Sequence, residues 1–273
     1  MKITPNFRIM RGAPAPLSLG FPKNSLLLIL LIFGLGLNAE QMPLPSEPLF
    51  QANVYLQDNG KLIFSQTNEV AAYADSTVLT HKYFTPQGEL AALDEAVLQG
   101  ADFKRAFTKF YQVGEAGEVK RQGSKMLMRF QQDDERKQKL LDFPEELIVG
   151  PLFNNFVQRN WQTLVDGTNL HFKLPAPEVM QIATFTLRQV GSDYANDNQV
   201  AFKLSPTNLI LKLFISASYF VYDRESRRLE AIHGNSILKT EIDGSFTRTT
   251  NVDIYFRYLK PGGNDEAKTS YRD

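Results

Sequence analysis

The sequence predicts a mainly β, α+β domain: a curved antiparallel sheet or open half-barrel with one central amphipathic helix. Three observations carry this expectation. Apolar and polar residues alternate with period two in many short stretches, the habit of antiparallel strands with one dry and one wet face. Turn pairs such as Asn59-Gly60 and Asp243-Gly244 separate those stretches, and such pairs readily adopt the positive φ of tight hairpins. One segment alone, between Gly150 and Gly167, has the three- and four-residue apolar spacing of a substantial helix. Strands do not alternate with helices as in a parallel βαβ fold, and no repeat on the order of 20–50 residues is evident.

Taken in order, Val54–Asp58 and Lys61–Ser65 flank Asn59-Gly60 as a hairpin. Thr77–Thr85 is rich in β-branched and aromatic residues, and Pro86-Gln87-Gly88 turns the chain into Glu89–Leu98. Phe107–Val113 and Val119–Phe130 read as a pair around Gly114–Gly117, and Glu135–Asp142 as either a further strand or a charged helix. The helix follows. Pro151 sits in its first turn, where the missing N–H costs nothing. Leu152, Phe153, Phe156, Val157, Trp161, Leu164 and Val165 form its stripe, and Asp166-Gly167 closes it.

Strands resume at Asn169–Leu174, Thr184–Arg188 and Val200–Leu204. Tyr219–Asp223 with Arg228–Ile232 and Lys239–Ile242 with Ser245–Arg248 form two hairpins, and Val252–Tyr258 is a last strand. That makes about ten to twelve strands, with a further short helix expected at Pro206–Leu213. The polar tail 260–273 is expected to be disordered.

The N-terminus reads as an export signal. Lys2, Arg8, Arg11 and Lys23 precede an apolar run, Ser25–Ala39, with no acidic residue before it. The uncharged core Leu26–Leu37 is 12 residues long, whereas a membrane-spanning helix needs about 20. The expectation is therefore a cleavable signal over residues 1–39, with the site after Ala39, a proline-rich linker over 40–50, and a single domain over 51–259. An uncleaved anchor of the same topology and a start at Met10 are the alternatives. On this reading the protein is periplasmic.

Composition narrows the function. Cysteine is absent, which excludes a lipobox, disulfide stapling and thiolate zinc sites. The chain carries 30 basic and 30 acidic residues, and loss of residues 1–39 leaves 26 against 30. A mildly acidic domain without a basic stripe is a poor nucleic-acid partner.

An exported, cysteine-free meander with one amphipathic helix resembles the half-barrel proteins of the bacterial envelope. The periplasmic lipoprotein carriers and the uncharacterised DUF3108-type proteins are of this kind. The block Val149-Gly150-Pro151 through Trp161, then Phe172–Pro175, is similar to segments of uncharacterised exported proteins. The resemblance spans about residues 50–258 at the level of pattern and carries no diagnostic motif, so no site residue comes with it. It implies a sheet and helix that enclose an apolar pocket or contact a partner.

Chemical motifs are sparse. His81, His171 and His233 lack metal-ligand spacing. Asp133-Asp134-Glu135 and Glu145-Glu146 read as solvated charge rather than the spaced acids of a glycosidase. Neither Gly191-Ser192-Asp193 nor Gly244-Ser245-Phe246 supplies a nucleophile elbow, and no phosphate loop is present. No cofactor, metal or catalytic residue is implied. Phe153, Phe156 and Trp161 of the helix, with Leu209, Leu213 and Phe214 of the apolar segment Leu209–Ser218, are the candidate lining of an apolar site. Twenty phenylalanines and ten tyrosines suit such an interior as well as they suit sheet packing. The expected function is thus non-enzymatic: binding of a lipid or other apolar ligand, or of an envelope protein partner, in the sheet's concavity. An envelope hydrolase assembled around His233 and a structural or assembly subunit are the alternatives.

Overall fold

A computed structural model describes residues 49–209, 215–242 and 244–259. The expected signal, linker and tail lie outside them, apart from Leu49 and Phe50, and so does the second half, 210–213, of the expected helix at Pro206–Leu213.

The first half is an antiparallel meander of eight strands: β1 (Phe50–Leu56), β2 (Leu62–Ala72), β3 (Thr77–Phe84), β4 (Leu90–Gln99), β5 (Asp102–Phe110), β6 (Glu115–Gln122), β7 (Lys125–Gln132) and β8 (Glu135–Asp142). After a helical passage come β9 (Leu170–Ala176), β10 (Gln181–Val190), β11 (Gln199–Pro206), β12 (Ser218–Asp223) and β13 (Leu229–Gly234). The hairpin β14 (Lys239–Ile242) and β15 (Ser245–Arg248) and then β16 (Val252–Tyr258) follow among the described residues. Fourteen strands form one sheet in the order β8-β7-β6-β5-β4-β3-β2-β1-β16-β13-β12-β11-β10-β9, and β14–β15 stand apart as a ribbon. The sheet is strongly curved, antiparallel and not closed, so the predicted fold class holds.

Among the strands and their turns, two features differ from expectation. Val119–Phe130 is not one strand: Gly123, at φ 62°, turns the chain between β6 and β7. Gly117, expected in a turn, lies inside β6 beneath Pro177, where a β-carbon would meet the proline ring at 3.2 Å. Glu135–Asp142 is a strand, the exposed edge β8, and its Arg136, Lys137 and Lys139 blunt that edge against further pairing.

One face of most strands of the large sheet is dry, the edge β8 excepted. Phe50, Ala52 and Val54 of β1, Leu79 and Tyr83 of β3, and Met126 and Met128 of β7 are buried in alternation. The concavity they line is filled by the chain's own β8–β9 connection. A 3-10 turn at Gly150–Leu152 leads into α1 (Phe153–Arg159) and α2 (Trp161–Val165). The predicted helix is broken at Asn160, whose amide donates to the Phe156 carbonyl at 2.9 Å, a side-chain bond that competes with helix continuation. Phe156, Val157, Trp161 and Leu164 pack on β9–β12 in one core cluster. Leu147, Val149 and Leu152 pack on β3–β7 in another. The connection also guards the β9 edge: Ile148 N–H donates to the Lys173 carbonyl at 2.9 Å, and Lys173 N–H to that of Glu146 at 3.1 Å.

Candidate functional site

The helical stripe is consumed in packing. Trp161 is 5% exposed and meets Phe202 and Tyr222 edge-on, at 5.6 and 5.8 Å between ring centroids. Phe156 lies 4.9 Å from Phe172, and the half-buried Phe153 4.6 Å from Phe220. These three candidates are brought together against the sheet with partners on its inner face. Leu209 stands apart from them, 77% exposed. Leu213 and Phe214 lie outside the described residues.

The open space is elsewhere. A groove of about 730 Å³ runs along one end of the curved sheet. Its wall is the β1–β2 hairpin, with Leu56, Leu62, Ile63 and Phe64, and its opposite side is the β14–β15 ribbon, with Phe246. The β3–β4 turn contributes Thr85 and Pro86, and Lys61, Glu241 and Arg248 add charge to the lining.

Ion pairs hold the ribbon. Lys239 and Arg248 face each other at its base. The Lys239 ammonium donates to both Glu115 oxygens at 2.5 Å, with Glu115 almost buried. Arg248 reaches Glu178 at 2.9 Å. One acid thus belongs to β6 and the other to the turn after β9. Sequence spacing points to none of these residues, because Lys239 and Glu115 are brought together only by the curl of the sheet.

A polar row crosses the concave face. Asn68, His81, Asp94 and Thr108 stand opposite one another on β2, β3, β4 and β5. Asn68, His81 and Asp94 are buried. Asn68 accepts the Phe50 N–H at 2.7 Å, and Asp94 accepts the Thr108 hydroxyl at 2.8 Å. Burial pushes the Asp94 carboxyl up to about 6, against the opposing pull of His81 and Thr108. The only local signal is the placement of Asp94 between Ala92 and Ala96 on the inward side of its strand.

The other histidines face outward. His171 is exposed and 3.1 Å from the Thr186 hydroxyl. On the convex face, His233 lies 2.7 Å from Asp253 through Nδ1. Among the described residues no group of three His, Cys, Asp or Glu side chains is placed to hold a metal ion. No described helix is long and apolar enough to cross a membrane.

No protein-family model and no curated protein matches the chain. Among solved structures, a porin-like protein from Bacteroides uniformis is similar over 77% of this chain and 95% of that one. The two share 8% identity with a TM-score of 0.22, so the fold assignment stands on the strand pairing above.

Proposed function

We propose that this chain is a non-enzymatic protein of the bacterial envelope, periplasmic after export, that holds an apolar, lipid-like ligand at the end of its curved sheet. The observation that carries the reading is the groove between the β1–β2 hairpin and the β14–β15 ribbon. Its apolar side chains come from two separate elements, Leu62, Ile63 and Phe64 on one and Phe246 on the other. Phe246 is 37% exposed beside them. Its volume falls in the range of small-molecule sites, about 300–1,000 Å³. The apolar Ser25–Ala39 run after four basic residues supports export.

The ligand then lies away from the helical stripe, whose rings already have partners. An envelope protein partner and an assembly role are the competing versions. The hydrolase alternative has one observation in its favour, the His233–Asp253 pair. That pair lies on a convex surface rather than in a cleft.

Protein purified from its host, examined by native mass spectrometry and by uptake of a fluorescent fatty acid, tests the reading. Bound lipid or micromolar uptake is expected, with Phe246→Glu weakening uptake at least tenfold while the fold is kept. Ligand-free protein that also takes up no probe would overturn it.

A further inference from the structure

The convex face carries a second patch, built differently from the groove and independent of it. Five strands meet there in one cross-strand row. Lys203 of β11, Tyr219 of β12, His233 of β13, Asp253 of β16 and Tyr55 of β1 stand opposite one another in successive pairs. Tyr255, two residues along β16, has its ring 6.1 Å from His233 and 6.2 Å from Tyr55. Tyr194 comes from the 3-10 turn Ser192–Tyr194 and lies over the row. Its ring stacks on Tyr219 at 4.0 Å and on His233 at 5.5 Å, yet it remains 40% exposed.

The rest of the convex surface is unlike this. Across β2–β7 it carries ion pairs, with Lys82 on Glu69 and both Arg105 and Arg129 on Glu118. The aliphatic residues next to the row, Val221 and Ala231, are buried. The exposed surface of the row is aromatic and polar, without the exposed aliphatic groups that an acyl chain would pack against. Asp253 within the row disfavours a polyanion.

The hydrogen-bonding inventory is specific. A carboxylate can only accept, so His233 donates through Nδ1 to Asp253 Oδ1. Gln57 donates to the same oxygen at 2.8 Å. Among the described residues nothing donates to Asp253 Oδ2, and His233 Nε2 makes no hydrogen bond. One carboxylate acceptor and one ring nitrogen thus lack a partner among the described residues, beside a ring with an open face. The Lys203 ammonium, 5.6 Å over the Tyr219 ring, supplies donors at the other end of the row.

We propose that this row is a binding site for a glycan strand. A pyranose ring has an apolar C–H face and an equatorial rim of hydroxyls. The face stacks on Tyr194 and Tyr255, the rim hydroxyls donate to Asp253 Oδ2 and pair with His233 Nε2, and a ring or hydroxyl oxygen accepts from Lys203. Alternating aromatic and polar groups across five strands suit a chain of sugars better than a single one.

Isothermal titration of the full-length protein with cellohexaose and with chitohexaose tests this. At least one is expected to bind, with affinity reduced about tenfold by Tyr194→Ala and again by Asp253→Asn. Tyr194 lies at the surface, so its removal keeps the fold, as circular dichroism would confirm. Absence of binding to both oligosaccharides, or binding unchanged in Tyr194→Ala, would overturn the proposal. So would self-association lost in Tyr194→Ala without any sugar binding, which would assign the patch to contact between copies of the chain.

Discussion

Gly150 packs directly on the carboxylate of Asp94, so closely that a β-carbon at position 150 would overlap Oδ2. Its φ is not in the left-handed region, so lack of space and not backbone strain requires glycine here. Asp94 has no room to yield, being buried and held by Thr108. Gly150→Ala is expected to cost about 1–3 kcal/mol, the range for overpacking a filled interior. Gly191→Ala is the control, because open space surrounds that position; it is expected to stay within about 0.5 kcal/mol. Urea denaturation of both variants makes the comparison, and equal midpoints would refute it.

The same carboxylate makes stability depend on pH. Burial raises Asp94 from 3.8 to about 6 in the fold, so the folded state favours the protonated form. Stability therefore falls as pH rises from about 4 to about 6, and the loss persists above. A tenfold change in an acidity constant corresponds to about 1.4 kcal/mol, which puts the loss at roughly 3 kcal/mol at most. The groups acting on Asp94 are His81 and Thr108, which favour its charge, and Glu95, whose backbone N–H does likewise while its carboxylate opposes it. Asp94→Asn keeps an acceptor for Thr108 and cannot ionise. Its melting temperature is expected to match the parent near pH 4 and to exceed it by a few degrees at pH 7. A variant less stable at pH 7 than at pH 4, relative to the parent, would show that Asp94 is instead stabilised as a charge by His81.

Much of this architecture is legible locally. Phe50, Ala52 and Val54 alternate with polar neighbours, and Asn59-Gly60 marks the turn that the chain takes. What escapes a local reading depends on long-range pairing. β1 and β16 are hydrogen-bonded neighbours although about two hundred residues separate them, and no local pattern announces such a pair. The Gly123 turn is hidden because Val119, Met126, Met128 and Phe130 read as one apolar stretch. Hydrophobicity, which selects the candidate lining, marks buried rings and ligand contacts alike; only their neighbours separate the two. His233 and Asp253 are adjacent solely through the register of β13 with β16.

Trp161 separates core from site. It is enclosed by Phe202 and Tyr222, with the Arg227 guanidinium 5.6 Å over its ring. Trp161→Ala is expected to cost about 3–5 kcal/mol and to lower the melting temperature by roughly 10 °C. Leu209→Ala, at a highly exposed position, is expected to change little. Trp161→Phe should retain fatty-acid uptake if the ligand sits in the end groove. Loss of uptake in a folded Trp161→Phe protein would return the site to the helical stripe.

The ribbon over the groove offers the last test. A two-stranded hairpin is marginal by itself, and every described side chain of β15 is exposed. Its position therefore depends on Leu238, buried at its root, and on the Lys239–Glu115 and Arg248–Glu178 pairs. Lys239→Ala leaves the nearly buried Glu115 carboxylate without its cation, at an expected cost of about 3 kcal/mol, the low end for a broken buried pair. Because the ribbon lies outside the main sheet, much of that loss should appear as local opening. Limited proteolysis is expected to cut Lys239→Ala within residues 239–248 several times faster than the parent. Lys239→Met with Glu115→Leu removes the charge imbalance and should slow cleavage again. Unchanged cleavage in Lys239→Ala would mean that Leu238 and the ribbon's own pairing suffice, and that the ion pairs do not hold the groove's wall in place.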